Sequence, residues 1–127
     1  MRLHHLAIQV PDLDAAVAFY GGVLGLQTLR RQAHAVWVDA GGTILMLERC
    51  RETGTIDASW EQPDAGPFVV AFAIAADERT AWLTRLAEAG VAVHHESAFT
   101  LYFRDPWGTR LALSHFPTPA TPGVPTG

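Results

Sequence analysis

Only a few kinds of side chain in this chain can carry chemistry, and their spacing limits what each can do. The six histidines come as two adjacent pairs, His4-His5 and His94-His95, and two singles, His34 and His115. Imidazole gives and takes protons near neutral pH and ligates metals. Both pairs lie in strand-like runs, where successive side chains point to opposite faces, so one member of each pair should face a given side. Glu48 closes the apolar run TILMLE; it either turns inward beside a histidine, where the two could share a proton, or reaches solvent and pairs with Arg49 or Arg51. Asp105, in the stretch DPWG, suits an Asx-type turn with Gly108 better than chemistry. Cys50 stands in no nucleophile motif.

Those residues must be positioned by a chain of 127 residues, one domain by size and long enough to bury a core. Hydrophobic residues make up 49% and charged residues 17%, which favours a globular chain over a disordered one. A net charge of -4 argues against nucleic acid, which needs clustered cations to neutralise phosphate. The single cysteine excludes a disulfide framework and suits the cytoplasm. No apolar run approaches the roughly 20 residues of a membrane span.

The pattern runs twice. The segment 3–10 reads as a strand ending at Pro11, Asp12 as an N-cap, and Leu13, Ala16, Phe19 and Tyr20 as a helical stripe ended by Gly21-Gly22. Strand-like pieces follow at about 26–31, 34–40 and 43–49, with Gly41-Gly42 as a hairpin signal. Residues 51–67 read as a polar linker. Then a strand restarts at Phe68, Asp77 is an expected N-cap, and Trp82, Leu83, Leu86 and Ala89 form a stripe stopping at Gly90. VAVHH, FTLYFR and TRLALSHF are three more strands, and 117–127 is expected to be a disordered tail. The order is βαβββ (3–50), linker (51–67), βαβββ (68–116), within one domain spanning 1–116. Such a repeat predicts an α+β fold of two modules paired about a pseudo-twofold axis, with curled mixed sheets enclosing a cavity and helices outside.

Three stretches carry a family resemblance: LHHLAIQVPDLDAAVAFYGGVLGL, FAIAADERTAWLTRLAEAGV and LYFRDPWGTRLALSHF. They resemble the vicinal oxygen chelate superfamily, the glyoxalase, bleomycin-resistance and extradiol-dioxygenase relatives, over about residues 3–116. This fold hosts many chemistries and some plain binding proteins, so the resemblance implies a fold more firmly than a reaction. In metal-dependent members a His on the first strand, a Glu on the fourth, a His on the fifth and a Glu on the eighth converge on one divalent ion. Motif matching puts these positions at His5, Met46, Val69 and Ala112. Only His5 is a ligand of the family type, so the expectation is no metal and no cofactor; the alternative is one divalent ion with displaced ligands.

The resemblance and strand alternation together suggest a cavity lined by Trp37, Met46, Val69, Tyr102, Arg110 and Ala112, with Trp60 of the linker able to close its mouth. One reading is a binding protein like the bleomycin-resistance branch, holding a small aromatic or hydrophobic molecule. The other is an enzyme of lyase, isomerase or dioxygenase type, metal-free through His5 and Glu48 or metal-dependent. A likeness to the fosfomycin-resistance branch is weakened by Val69 and Ala112, where that branch needs His and Glu. The resemblance further implies a homodimer; neither nucleic acid nor membrane is an expected partner.

Overall fold

The structure, a computed structural model, describes residues 3–49 and 68–120. The linker 51–67, with Trp60, lies outside the described residues, as do Cys50 and residues 121–127. The chain divides into two units, Met1–Gly66 and Pro67–Gly127. Each repeats the same plan.

The first module comprises β1 (His5–Val10), α1 (Leu13–Val17), β2 (Thr28–Arg31), β3 (Ala35–Asp39) and β4 (Ile44–Arg49). Its strands form one sheet in the order β1-β4-β3-β2. The β1–β4 pair is parallel and the others antiparallel. Asp12 caps α1 as expected: its Oδ1 accepts from the Ala15 amide at 2.9 Å. The helix does not stop at Gly21-Gly22, however. A π-helical turn, Ala18–Val23, carries the chain through both glycines, and the break comes at Gly25, whose φ is +77°. Gly41 and Gly42 have φ of +78° and +96°, so the hairpin between β3 and β4 forms where the sequence indicates.

Alternation sorts this sheet cleanly. Val36, Val38, Leu45 and Leu47 are buried, as are Leu13, Ala16, Phe19 and Tyr20 of the helical segment, and α1 packs against β3 and β4. Each such large side chain contributes roughly 1.5–3 kcal/mol on burial. A one-residue slip would expose the whole row, and that cost fixes the register. The opposite face carries His5, Ala7, Gln9, Trp37, Met46 and Glu48.

The second module comprises β5 (Val70–Ala73), α2 (Arg79–Glu88), β6 (Val93–Glu96), β7 (Thr100–Arg104) and β8 (Arg110–Ser114), in the sheet order β5-β8-β7-β6. Asp77 is not a cap. It sits inside a 3-10 turn, Ala76–Glu78, whose start is held by Glu78 Oε1 accepting from the Ala75 amide at 2.7 Å. Leu101, Phe103, Leu111 and Leu113 are buried on one side of the sheet, with Leu86 of α2 also buried. Asp105 Oδ1 accepts from the amides of Trp107 and Thr109 at 2.9 and 2.8 Å, so the DPWG segment is the Asx-type turn its composition suggests. At the start of the expected tail the amides of Thr118 and Ala120 donate to the carbonyls of His115 and Ala98.

A buried polar network, unforeseen in the sequence, anchors this module. Arg79, the first residue of α2, is 1% exposed. Its Nη2 donates to Glu96 Oε1 at 3.1 Å and to the Ser97 carbonyl at 2.9 Å, and its Nη1 to His115 Nε2 at 3.0 Å. The signal was present, because Arg79 lies three and four residues before Trp82 and Leu83 and so shares their stripe.

Candidate functional site

One local irregularity shapes both modules. Along β2, Thr28 faces Val38 but Arg30 faces Trp37, so an extra residue, Leu29, bulges out. Along β6, Val93 faces Phe103 but His95 faces Tyr102, so His94 bulges. Each bulge sets a nitrogen-bearing side chain against an aromatic one on the next strand. The Arg30 guanidinium lies 5.7 Å from the Trp37 ring centroid, and the His95 and Tyr102 rings are 5.8 Å apart.

In the second module the bulge borders an open cleft of about 360 Å³. Its apolar lining is Phe68, Val69, Phe103 and Leu111; its polar lining is His94, His95, Tyr102, Arg104 and Arg110. Three residues singled out in the sequence, Val69, Tyr102 and Arg110, therefore meet around one space. Ala112 lies beside it as the cross-strand partner of Tyr102 and Ala71, but is buried and absent from the lining. The expectation that only one of His94 and His95 could border a cavity fails, because the bulge breaks the alternation on which it rested. Phe68 and Arg104 were also missed. Phe68 precedes the ladder of β5 and so lay outside any alternating run, whereas Arg104 follows Tyr102 by two residues in β7, a spacing that already put it on the same face.

In the first module Trp37 and Met46 are direct cross-strand partners. Trp37 Nε1 is buried and has no hydrogen-bond partner among the described residues. Such a donor costs free energy unless something accepts from it. Trp37 and Met46 share their face with His5 and Glu48, as alternation predicts. The register, though, sets His5 against Ile44 and Glu48 against Gln9. Four residues along a strand is roughly 13 Å, so the two cannot pass a proton directly within this sheet. His5 instead meets His4, Nδ1 to Nδ1 at 2.9 Å, with the rings edge to face. His4 lies just outside β1 and is not bound by the alternation that was to send it to the other side.

The four family ligand positions can be tested by donor chemistry. They hold an imidazole at His5, a thioether at Met46, and alkyl groups at Val69 and Ala112. The hard divalent ions of such sites want oxygen and imidazole donors, and this set does not fit one. Among the described residues no group of three or more His, Cys, Asp or Glu side chains gathers as metal ligands.

Comparison with known proteins agrees with this architecture. A model of the Glyoxalase/Bleomycin resistance protein/Dioxygenase superfamily matches residues 2–113. The chain belongs to that superfamily, and its α+β pair of βαβββ modules is the fold of its structural neighbours. Among solved structures it is similar to a lactoylglutathione lyase from Agrobacterium tumefaciens, with 27% identity, a TM-score of 0.70, and coverage of 89% of this chain and 92% of that one. It is also similar to a glyoxalase/dioxygenase from Nostoc punctiforme, with 26% identity, a TM-score of 0.72 and 88% of each chain covered. A fosfomycin resistance protein from Listeria monocytogenes shares the fold at 16% identity, with a TM-score of 0.70 and 89% of each chain covered. No curated protein matches the sequence.

Proposed function

We propose that this chain is a binding member of the superfamily that holds a small aromatic or hydrophobic molecule without a metal ion. The observation that carries the reading is the cleft of the second module, with Tyr102 and Phe68 offering flat faces and Val69 and Leu111 an apolar lining. A space of this size and composition suits a flat ligand of one or two rings. The donor set at His5, Met46, Val69 and Ala112 adds to it, since three of the four positions offer no competent ligand. Trp37 and Met46, paired on the sheet of the first module, are proposed as ligand contacts of that module, with the Trp37 indole N–H, which has no partner among the described residues, as a donor for a polar group. In this reading the chain works in the cytoplasm as a homodimer and meets neither nucleic acid nor membrane. No helix among the described residues is long and apolar enough to cross one.

A second reading, an enzyme of lyase, isomerase or dioxygenase type, is favoured by the 27% identity to a lactoylglutathione lyase. Its metal-free form through His5 and Glu48 has to overcome their separation along the sheet.

Two measurements on the full chain separate these readings. Protein purified without chelator and soaked in Ni, Zn, Mn and Fe(II) salts should carry less than about a tenth of an ion per chain. Small aromatic compounds should raise its melting temperature, and Tyr102→Ala should remove that rise. Near-stoichiometric metal, or turnover lost on His5→Ala, would overturn the binding reading.

A further inference from the structure

Arg104 and Arg110 are direct cross-strand partners at the edge of this cleft. Like charges set opposite each other on a sheet repel, and a neutral pair would stabilise the hairpin better. Neither Arg104 nor Arg110 forms an ion pair among the described residues, and no Asp or Glu lines the cleft. Arg104 Nη1 donates to the Gly108 carbonyl at 2.9 Å, which steadies the side chain without neutralising it. The Arg110 guanidinium lies 4.9 Å from the ring centroid of Phe68, itself 68% exposed. A chain whose net charge is -4 thus gathers two guanidinium groups and two imidazoles around one apolar space.

Resting on the ligand-binding reading above, we infer that the cleft selects an aromatic anion, a flat ring carrying one carboxylate. The carboxylate lies between Arg104 and Arg110, whose planar donors match its two oxygens. The ring lies on Tyr102 and Phe68, with His95 at its edge. Binding the anion removes the repulsion between the two arginines, so a neutral ligand of the same shape gains less.

The test compares 2-naphthoate with its neutral isostere 2-naphthamide by titration calorimetry on the full chain. Wild type should bind the naphthoate on the order of tenfold more tightly. The ratio should fall toward one in Arg104→Met and in Arg110→Met, variants that keep the apolar stem. In wild type it should also shrink on adding about 0.5 M salt, since the cleft is open and screened; this arm does not depend on either variant folding. Equal affinities in wild type, or a ratio that neither variant nor salt changes, overturn the anion inference and leave the ligand-binding reading standing. Failure of both compounds to bind folded wild type overturns that reading, and this inference with it.

Discussion

His95 faces Tyr102 with ring centroids 5.8 Å apart, and the extra residue His94 is what brings both histidines to the cleft. In the first module Leu29 stands where His94 does, and Arg30 faces Trp37. The repeated bulge gives each module an aromatic platform with a polar side chain beside it, while the strand cores keep their alternation.

His94→Ala and His95→Ala should each weaken 2-naphthoate binding, by about threefold or more. Unbroken alternation would let only one of them matter. Calorimetry on both variants decides, and an effect confined to one would remove the bulge from the account of the site.

Arg79→Ala should destabilise the fold by on the order of 2–4 kcal/mol. The substitution strips partners from the Ser97 carbonyl, His115 Nε2 and a Glu96 side chain that is only 26% exposed. Part of the gain is already forgone, since Arg79 Nε is buried with no hydrogen-bond partner among the described residues. Glu96→Gln should cost less, because the other two bonds survive. Urea denaturation checks both. By contrast Asp14→Ala should change stability little, because its ion pair with Arg31 is exposed on both sides.

The same network fixes which nitrogen of His115 carries a proton. A guanidinium only donates, so Nε2, 3.0 Å from Arg79 Nη1, must accept. Nδ1 then donates to the Thr118 carbonyl at 2.6 Å. Long-range proton–nitrogen correlation spectra should show His115 protonated at Nδ1 alone. A proton on Nε2 would mean that the arginine bonds elsewhere.

The sequence carries the architecture well because the architecture is periodic. Buried Val36, Val38, Leu45 and Leu47, with Gly41-Gly42 between their strands, declare a hairpin and its inner face without reference to anything distant. The same rule puts Trp37 and Met46 on one face and opposes Tyr102 to Ala112. It fails wherever the period breaks. His94 and His95 lie at a bulge that no turn residue announces, Phe68 precedes the ladder of its strand, and the helix passes through Gly21-Gly22 by widening to a π turn. Register is legible only in part. Alternation sets His5 and Glu48 on a common face, but only the strand pairing reveals the four residues between them.

Gly41→Ala should cost about 1 kcal/mol. The position has φ of +78°, and an added Cβ would meet no atom within 4 Å. The cost is therefore conformational and not a clash, and D-Ala introduced by ligation should recover it. A larger loss would show that the turn does more than close a hairpin. Thermal unfolding of the two proteins gives the difference.

Ala112 is 1% exposed and pairs with Ala71 and Tyr102 across the second sheet. Ala112→Glu should therefore destabilise the fold by on the order of 2–4 kcal/mol, since a buried charge is costly unless paired or coordinated. Ala112→Gln, of nearly the same size but uncharged, should cost less, and urea denaturation of the two variants gives the difference. Equal losses would mean that volume and not charge sets the cost. Added Ni or Zn should leave the melting temperature of wild type unchanged, because only an ion held by the folded state raises it. A rise in wild type would mean that its metal ligands lie elsewhere than at His5, Met46, Val69 and Ala112, and the enzyme reading gains what the binding reading loses.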